Sequence, residues 1–163
     1  MTVLTTQVDQ IDLKILSALQ KNAALSNRAI SELVGISPPS CLRRTKELKN
    51  SGFLTGAHAS INGSLLNLDL IIYCDIMLEN HTPADIMQFV QSINVLPYIR
   101  ECYLVTGLFD FLLKIIVPNI NAYTDFLTKS LIFKHNVLKV TSRMVVQTRK
   151  KEVGIPIESL LTI

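Results

Sequence analysis

Residues 26–50, SNRAISELVGISPPSCLRRTKELKN, decide the fold of the first third of the chain. Ser26 is placed to cap a short helix carrying Ala29, Ile30, Leu33 and Val34 on one face. Gly35 follows, a residue suited to the left-handed conformation at a helix end. Ser37 then caps a further helix with Pro38 at its first position, where no amide hydrogen is needed. That helix runs to about Asn50, and Gly52 stops it. Two helices separated by a short turn containing glycine describe a helix-turn-helix, although an ordinary three-helix bundle has the same spacing. The faces of the last helix separate the two readings. At about 100° per residue, Cys41, Thr45 and Leu48 share one side with Leu42 beside them. Pro39, Ser40, Arg43, Lys46 and Asn50 take the other, with Glu47 at its edge. One side is built to pack and the other to offer hydrogen bonds to base edges and cations to phosphates. Thr45 is the polar residue on the packed side, and its hydroxyl is expected to bond back to the Cys41 carbonyl.

Working outward, Asp9 is a natural cap for an earlier helix with Ile11, Ile15, Leu16 and Leu19, ending near Asn22. After Gly52, the segments Gly52-Phe53-Leu54 and Ala57 to Ile61 read as a short extended wing. Of the formal net charge of +3, all lies in residues 1–60, and residues 61–163 are neutral. The asymmetry suggests a nucleic-acid-binding module joined to a neutral one.

The 163 residues allow one large domain or two small ones, and 48% apolar content is enough for cores. Mean hydropathy is +0.35, so the apolar runs need scrutiny. The longest, Leu65 to Leu78, is broken by Asn67, Asp69 and Asp75 and falls short of the roughly 20 residues of a membrane span. The N-terminus shows no basic segment followed by an apolar stretch, so a cytoplasmic protein with no membrane partner is expected. Cys41, Cys74 and Cys102 lie far apart and read as small buried residues, with no metal site and no cofactor expected.

The remainder alternates strands and helices. A strand fits Leu68–Leu78, and a helix opens at Thr82-Pro83 with Ile86, Phe89, Val90 and Ile93. Strands fit Ile99–Thr106 and Phe109–Val117, joined by a tight turn at Gly107-Leu108. A second helix runs from about Asn121 to Leu131, and a last strand spans Val137–Val146. Helices returning to one face of a sheet give an α+β sandwich and leave the other face apolar and uncovered.

Asp9-Gln-Ile-Asp12, Leu19-Gln-Lys21, Leu33-Val-Gly-Ile-Ser-Pro38, Cys41-Leu-Arg-Arg44 and Ser51-Gly-Phe-Leu54 closely resemble the leucine-responsive regulatory protein/AsnC family of transcriptional regulators. The similarity continues through Glu101-Cys-Tyr-Leu-Val-Thr-Gly107, Phe109-Asp-Phe-Leu-Leu-Lys114, Val117-Pro-Asn119 and Ala122-Tyr123, and covers roughly residues 9–150. The resemblance implies an α+β protein with a winged helix-turn-helix and linker strand at 1–60. A ferredoxin-like βαββαβ domain for effector binding and oligomerisation follows at 61–163. It implies double-stranded DNA as partner and a homodimer assembling into an octamer.

On the DNA side, Ser37, Pro39, Ser40, Arg43, Arg44, Lys46 and Lys49 are the candidate contacts. Ser40 and Arg43 are expected at base edges, and Arg44, Lys46 and Lys49 at phosphates. The turn from Val105 to Asp110 looks like the family's effector loop, where an amino acid lies between subunits. Backbone amides near Gly107 suit a carboxylate, and Asp110 suits an ammonium. Leu104, Thr106, Leu108, Ile120, Met144 and Val145 complete the candidate pocket. Leu108 stands where many members carry an acidic residue, which favours an apolar amino acid such as leucine or methionine. Gly107 and Asp110 are also ordinary turn formers, so a purely structural hairpin is the competing reading.

No Ser/His/Asp set, P-loop or dinucleotide fingerprint is present, and His58, His81 and His135 share no motif, so no catalytic residue is assigned. A catalytic relative such as a sirohaem decarboxylase shares the two-domain layout. It requires basic and histidine residues converging on a tetrapyrrole pocket, where this chain is apolar. A ligand-binding assembly module without DNA binding is disfavoured by the intact surface of Ser37–Asn50.

Overall fold

The computed structural model describes residues 8–132, 136–152 and 154–161. They divide into two compact units, 8–60 together with 150–161, and 61–149. The sequence reading placed all of 61–163 in one domain, whereas the described residues 150–152 and 154–161 group with the first unit.

The first unit holds α1 (Gln10–Lys21), α2 (Asn27–Val34) and α3 (Pro38–Asn50), with α6 (Glu158–Leu161) from the far end of the chain. Each of the first three is capped as its sequence demands. The Asp9 carboxylate accepts from the Ile11 and Asp12 amides, and Asp12 reaches back to the Asp9 amide in a closed capping box. Ser26 and Ser37 cap α2 and α3. Gly35 sits at φ +75° and closes the turn through its amide to the Ser31 carbonyl, a conformation that favours glycine. Ile15, Ile30, Cys41 and Leu48 form the buried centre, with Ile11, Leu16, Leu19, Val34 and Ile36 around them.

Two expectations for these helices change. Leu33 is exposed and Ser31 is buried in its place, its hydroxyl donating to the Arg28 carbonyl at 2.7 Å. Thr45 Oγ1 is buried with no hydrogen-bond partner among the described residues, and the bond back to Cys41 is absent. It lies on the packed side of α3, where an unmade hydrogen bond costs about 1–3 kcal/mol. Residues 53–62, read as an extended wing and linker strand, form no helix or ladder. The Leu54 amide, bonded to the Leu48 carbonyl, ties their start to α3.

The second unit is a four-stranded antiparallel sheet in the order β2-β3-β1-β4, with β1 Leu70–Leu78, β2 Ile99–Leu104, β3 Phe111–Val117 and β4 Val137–Met144. Helix α4 (Pro83–Asn94) follows β1. Helix α5 (Ile120–Phe126) follows β3 and runs into a π-helical turn, Leu127–Leu131. Strict alternation in β1 and β3 places Ile72, Cys74, Ile76 and Leu78 beside Phe111, Leu113, Ile115 and Val117 under the helices. Phe89, Ile93, Tyr123, Phe126 and Leu131 cover them, the Phe89 and Phe111 rings 4.8 Å apart. Each such fully buried side chain contributes roughly 1.5–3 kcal/mol. Beneath α5, Tyr123 Oη bridges Cys74 Sγ and Ser142 Oγ, and burial raises the pKa of its phenol.

The opposite sheet face, expected to be apolar, is mixed. Ile71, Met77, Leu112 and Ile116 alternate with Lys114–Glu101 and Arg143–Asp75 ion pairs at 2.6 and 2.8 Å. Cross-strand neighbours pair charges here because register puts them opposite or adjacent. Of the three cysteines, Cys41 and Cys74 are buried, but Cys102 is exposed because β2 is an edge strand. The β2–β3 connection is also wider than a two-residue turn. The strands stop at Leu104 and resume at Phe111, and between them the Asp110 amide bonds to the Ile76 carbonyl of β1.

Candidate nucleic-acid interface and effector site

Helix α3 presents its candidate contacts unevenly. Pro39, Arg43, Lys46 and Lys49 are exposed and Ser40 is partly so, while Ser37 is occupied in capping. Arg43 makes an i,i+4 pair with Glu47 at 2.8 Å that remains mostly solvated. Lys46 and Lys49 have no ion pair among the described residues. Arg44 differs. Its guanidinium turns toward α1, with Nη1 2.7 Å from Asp9 and 2.9 Å from Asp12, and only 23% of the side chain is exposed. The Asp12 amide and the Arg44 guanidinium hold the Asp9 carboxyl below the usual range, and the two carboxylates raise Arg44. Arg44 therefore ties α3 to the first turn of α1 through two carboxylates.

Sequence reasoning missed two positioning residues here. Asn27 Nδ2 donates to the Pro38 carbonyl at 2.8 Å, tying the start of α3 to α2. Asp12 serves both the capping box and Arg44. The i+3 spacing of Asp9 and Asp12 signalled the box, but nothing local signalled the partner 32 residues away.

The candidate effector residues fall into two groups. Leu104, Thr106, Gly107, Leu108 and Asp110 cluster at one end of the sheet, where Leu104 pairs with Phe111, Phe111 with Ile76 and Ile76 with Val140. Met144 pairs with Ile72 toward the other end, and Val145 follows it. Ile120 comes just after Val117, which pairs with Leu70. Strand spacing and rise separate Leu104 from Met144 by on the order of 20 Å within one chain. Leu104 and Leu108 are highly exposed, and Ile120 and Met144 about half so. Asp110 is not a free acceptor. Its Oδ2 takes the Leu78 amide at 2.8 Å and lies 3.0 Å from His81 Nε2, a contact the sequence did not suggest. The loop closes through the Val105 amide on the Asp110 carbonyl at 2.9 Å.

His58 is exposed and His135 lies outside the described residues. Among the described residues, no group of three or more His, Cys, Asp or Glu is arranged to hold a metal ion. No helix among them is long and apolar enough to cross a membrane.

Residues 8–55 match a family model described as winged helix-turn-helix DNA-binding, and residues 71–155 match the Lrp/AsnC ligand binding domain. A leucine-responsive regulatory protein of Rhizobium meliloti is 34% identical over 148 residues, covering 91% of this chain and 95% of its own. The leucine-responsive regulatory protein of Escherichia coli K12 is 36% identical over 153 residues, covering 87% and 93%. Among solved structures, a Neisseria meningitidis transcriptional regulator in complex with L-methionine superposes with a TM-score of 0.91 at 30% identity, covering 95% of this chain and all of that one. An AsnC family regulator from Agrobacterium tumefaciens gives 0.88 at 26%, covering 94% and 99%.

Proposed function

The chain belongs to the Lrp/AsnC family of DNA-binding transcriptional regulators, and from that premise we propose how its own residues divide the work. Ser40 and Arg43 read base edges from the exposed face of α3, with Pro39 against the groove. Lys46 and Lys49 neutralise phosphates, Ser37 caps the helix, and Arg44 positions it. The observation that carries this is the opposed disposition of neighbouring arginines, Arg43 in solvent and Arg44 held by two carboxylates. The unit made of 8–60 with 150–161 is the DNA-reading domain, and 61–149 senses and assembles.

The effector is a small zwitterion bound between copies of the chain. The separation of Leu104–Asp110 from Ile120, Met144 and Val145 supports this reading, since one chain cannot close a pocket around both groups. The exposed Leu108 favours an apolar side chain, and the neisserial relative is described with L-methionine. With Asp110 already engaged, the ligand ammonium is met by the outer side of that carboxylate and by loop carbonyls. The protein works in the cytoplasm as a regulator rather than an enzyme, as a homodimer that assembles further. Its mixed sheet face supplies Ile71, Met77, Leu112 and Ile116 to the subunit contact. Genomic footprinting with and without leucine and methionine tests the whole reading. Defended sites that shift with the amino acid support it, and binding no tighter than to random DNA overturns it.

A further inference from the structure

Residues 154–161 lie almost wholly beyond the ligand-domain match and pack against α1 of the DNA-reading unit. Contacts of several kinds hold them. The Gln20 carboxamide engages both backbone groups of Ile155, its Oε1 accepting from the amide at 3.0 Å and its Nε2 donating to the carbonyl at 2.7 Å. A neighbouring strand would satisfy these groups in the same way; here one side chain does so. Glu158 Oε1 accepts from Ser17 Oγ at 3.0 Å and lies 2.9 Å from Lys21 Nζ. Ile157 is 5% exposed, and Gln10 Nε2 reaches the Leu160 carbonyl at 3.4 Å. Gly154, at φ +92°, permits the approach, because a Cβ there would collide with the Gln20 side chain. The four α1 residues stand at i, i+7, i+10 and i+11 and so form one stripe along the helix. Arg43, Lys46 and Lys49 stay exposed with the segment in place.

We propose that residues 154–161 are a latch, a peptide-like fourth element of the DNA-reading unit that docks on the α1 stripe and holds that helix. The latch arrives from β4, so the unit that reads DNA is tied to the sensing unit through residues 145–153 as well as through 53–62. Its regulatory meaning rests on the reading above, since Val145, a candidate effector residue, begins that second tie. The end of β4 is thereby joined along the chain to the segment that touches α1, the helix that Arg44 joins to α3.

Hydrogen exchange at the amides of residues 13–21 tests the latch without requiring DNA. The full chain is compared with one ending after residue 153. Burial of Ile157 and the Gln20 clasp lead us to expect exchange at least about tenfold faster in the shortened chain. The amides of β1 and β3 should be unchanged. If the shortened chain fails to fold, Gln20→Ala in the full chain carries the same test, with roughly fivefold faster exchange expected from one lost pair of hydrogen bonds. Unchanged α1 protection in whichever variant folds overturns the latch. Latch-dependent protection in a chain that shows no DNA preference would support the latch and remove the regulator reading instead.

Discussion

Arg44 Nη1 donates to Asp12 Oδ1 across 2.9 Å, and this bond joins α3 to the first turn of α1. Its neighbour Arg43 faces solvent, paired with Glu47. Two adjacent arginines thus answer different tests. Arg43→Ala should cost about 1–3 kcal/mol of specific binding and relax preference at one base position, with little change in Tm. Arg44→Ala should lower stability by about 1 kcal/mol, the half-exposed Asp9 partner being screened, and weaken all DNA sequences alike. Binding to operator and random duplexes, measured beside thermal unfolding, separates them. Equal losses on both duplexes for Arg43→Ala would rule out its place at a base edge.

Lys49→Ala is expected to reduce the salt dependence of binding by about one phosphate contact, with log Kd against log salt changing slope by roughly 0.9. Lys49 is exposed at the end of α3. An unchanged slope would mean its charge never meets the backbone.

On the packed side of α3, Thr45 carries a buried hydroxyl with no partner among the described residues. Thr45→Val keeps the branched shape and removes the unmet group, so stability should rise by about 1 kcal/mol in denaturant titration. A loss of stability would show that the hydroxyl finds a partner in solution.

Asp110 holds the Leu78 amide and faces His81, so Asp110→Ala should do more than alter ligand response. Stability should fall by about 1–2 kcal/mol and the Leu78 amide should exchange faster, while DNA affinity changes little. Calorimetry on the unaltered chain then asks whether leucine or methionine binds below millimolar concentration. If neither does, the loop is structural only.

Glu158 supplies the pH test. Lys21, with help from its own backbone amide and the Ser17 hydroxyl, lowers its carboxyl pKa from 4.5 to about 2. A carboxylate whose folded pKa is depressed stabilises the fold above its unfolded value. That contribution is lost as pH falls through the folded value. The difference in unfolding midpoint between the unaltered chain and Glu158→Gln should therefore be constant near neutrality and shrink between about pH 4.5 and 2. A difference independent of pH across that window would exclude an ionised Glu158 as the source.

Helices α1 to α3 and the strands β1 and β3 were written in local code. Asp9, Ser26 and Ser37 before apolar periodicity, Gly35 after it, and period-two alternation in β1 and β3 each act within a few residues, so reading them needs no knowledge of the rest. The same holds for the exposed face of α3, since 3.6 residues per turn fixes which side chains oppose Cys41 and Leu48. Tertiary structure alone decided the direction of Arg44, because its partners sit 32 and 35 residues away. It decided the engagement of Asp110 by Leu78, the splitting of the candidate effector residues between two ends of a sheet, and the ion pairs on the open face. It also returned residues 154–161 to α1, more than 130 positions back. Hydrogen bonds and charges act over a few ångströms of space and are indifferent to separation along the chain, whereas caps, turns and periodicity act along the chain itself.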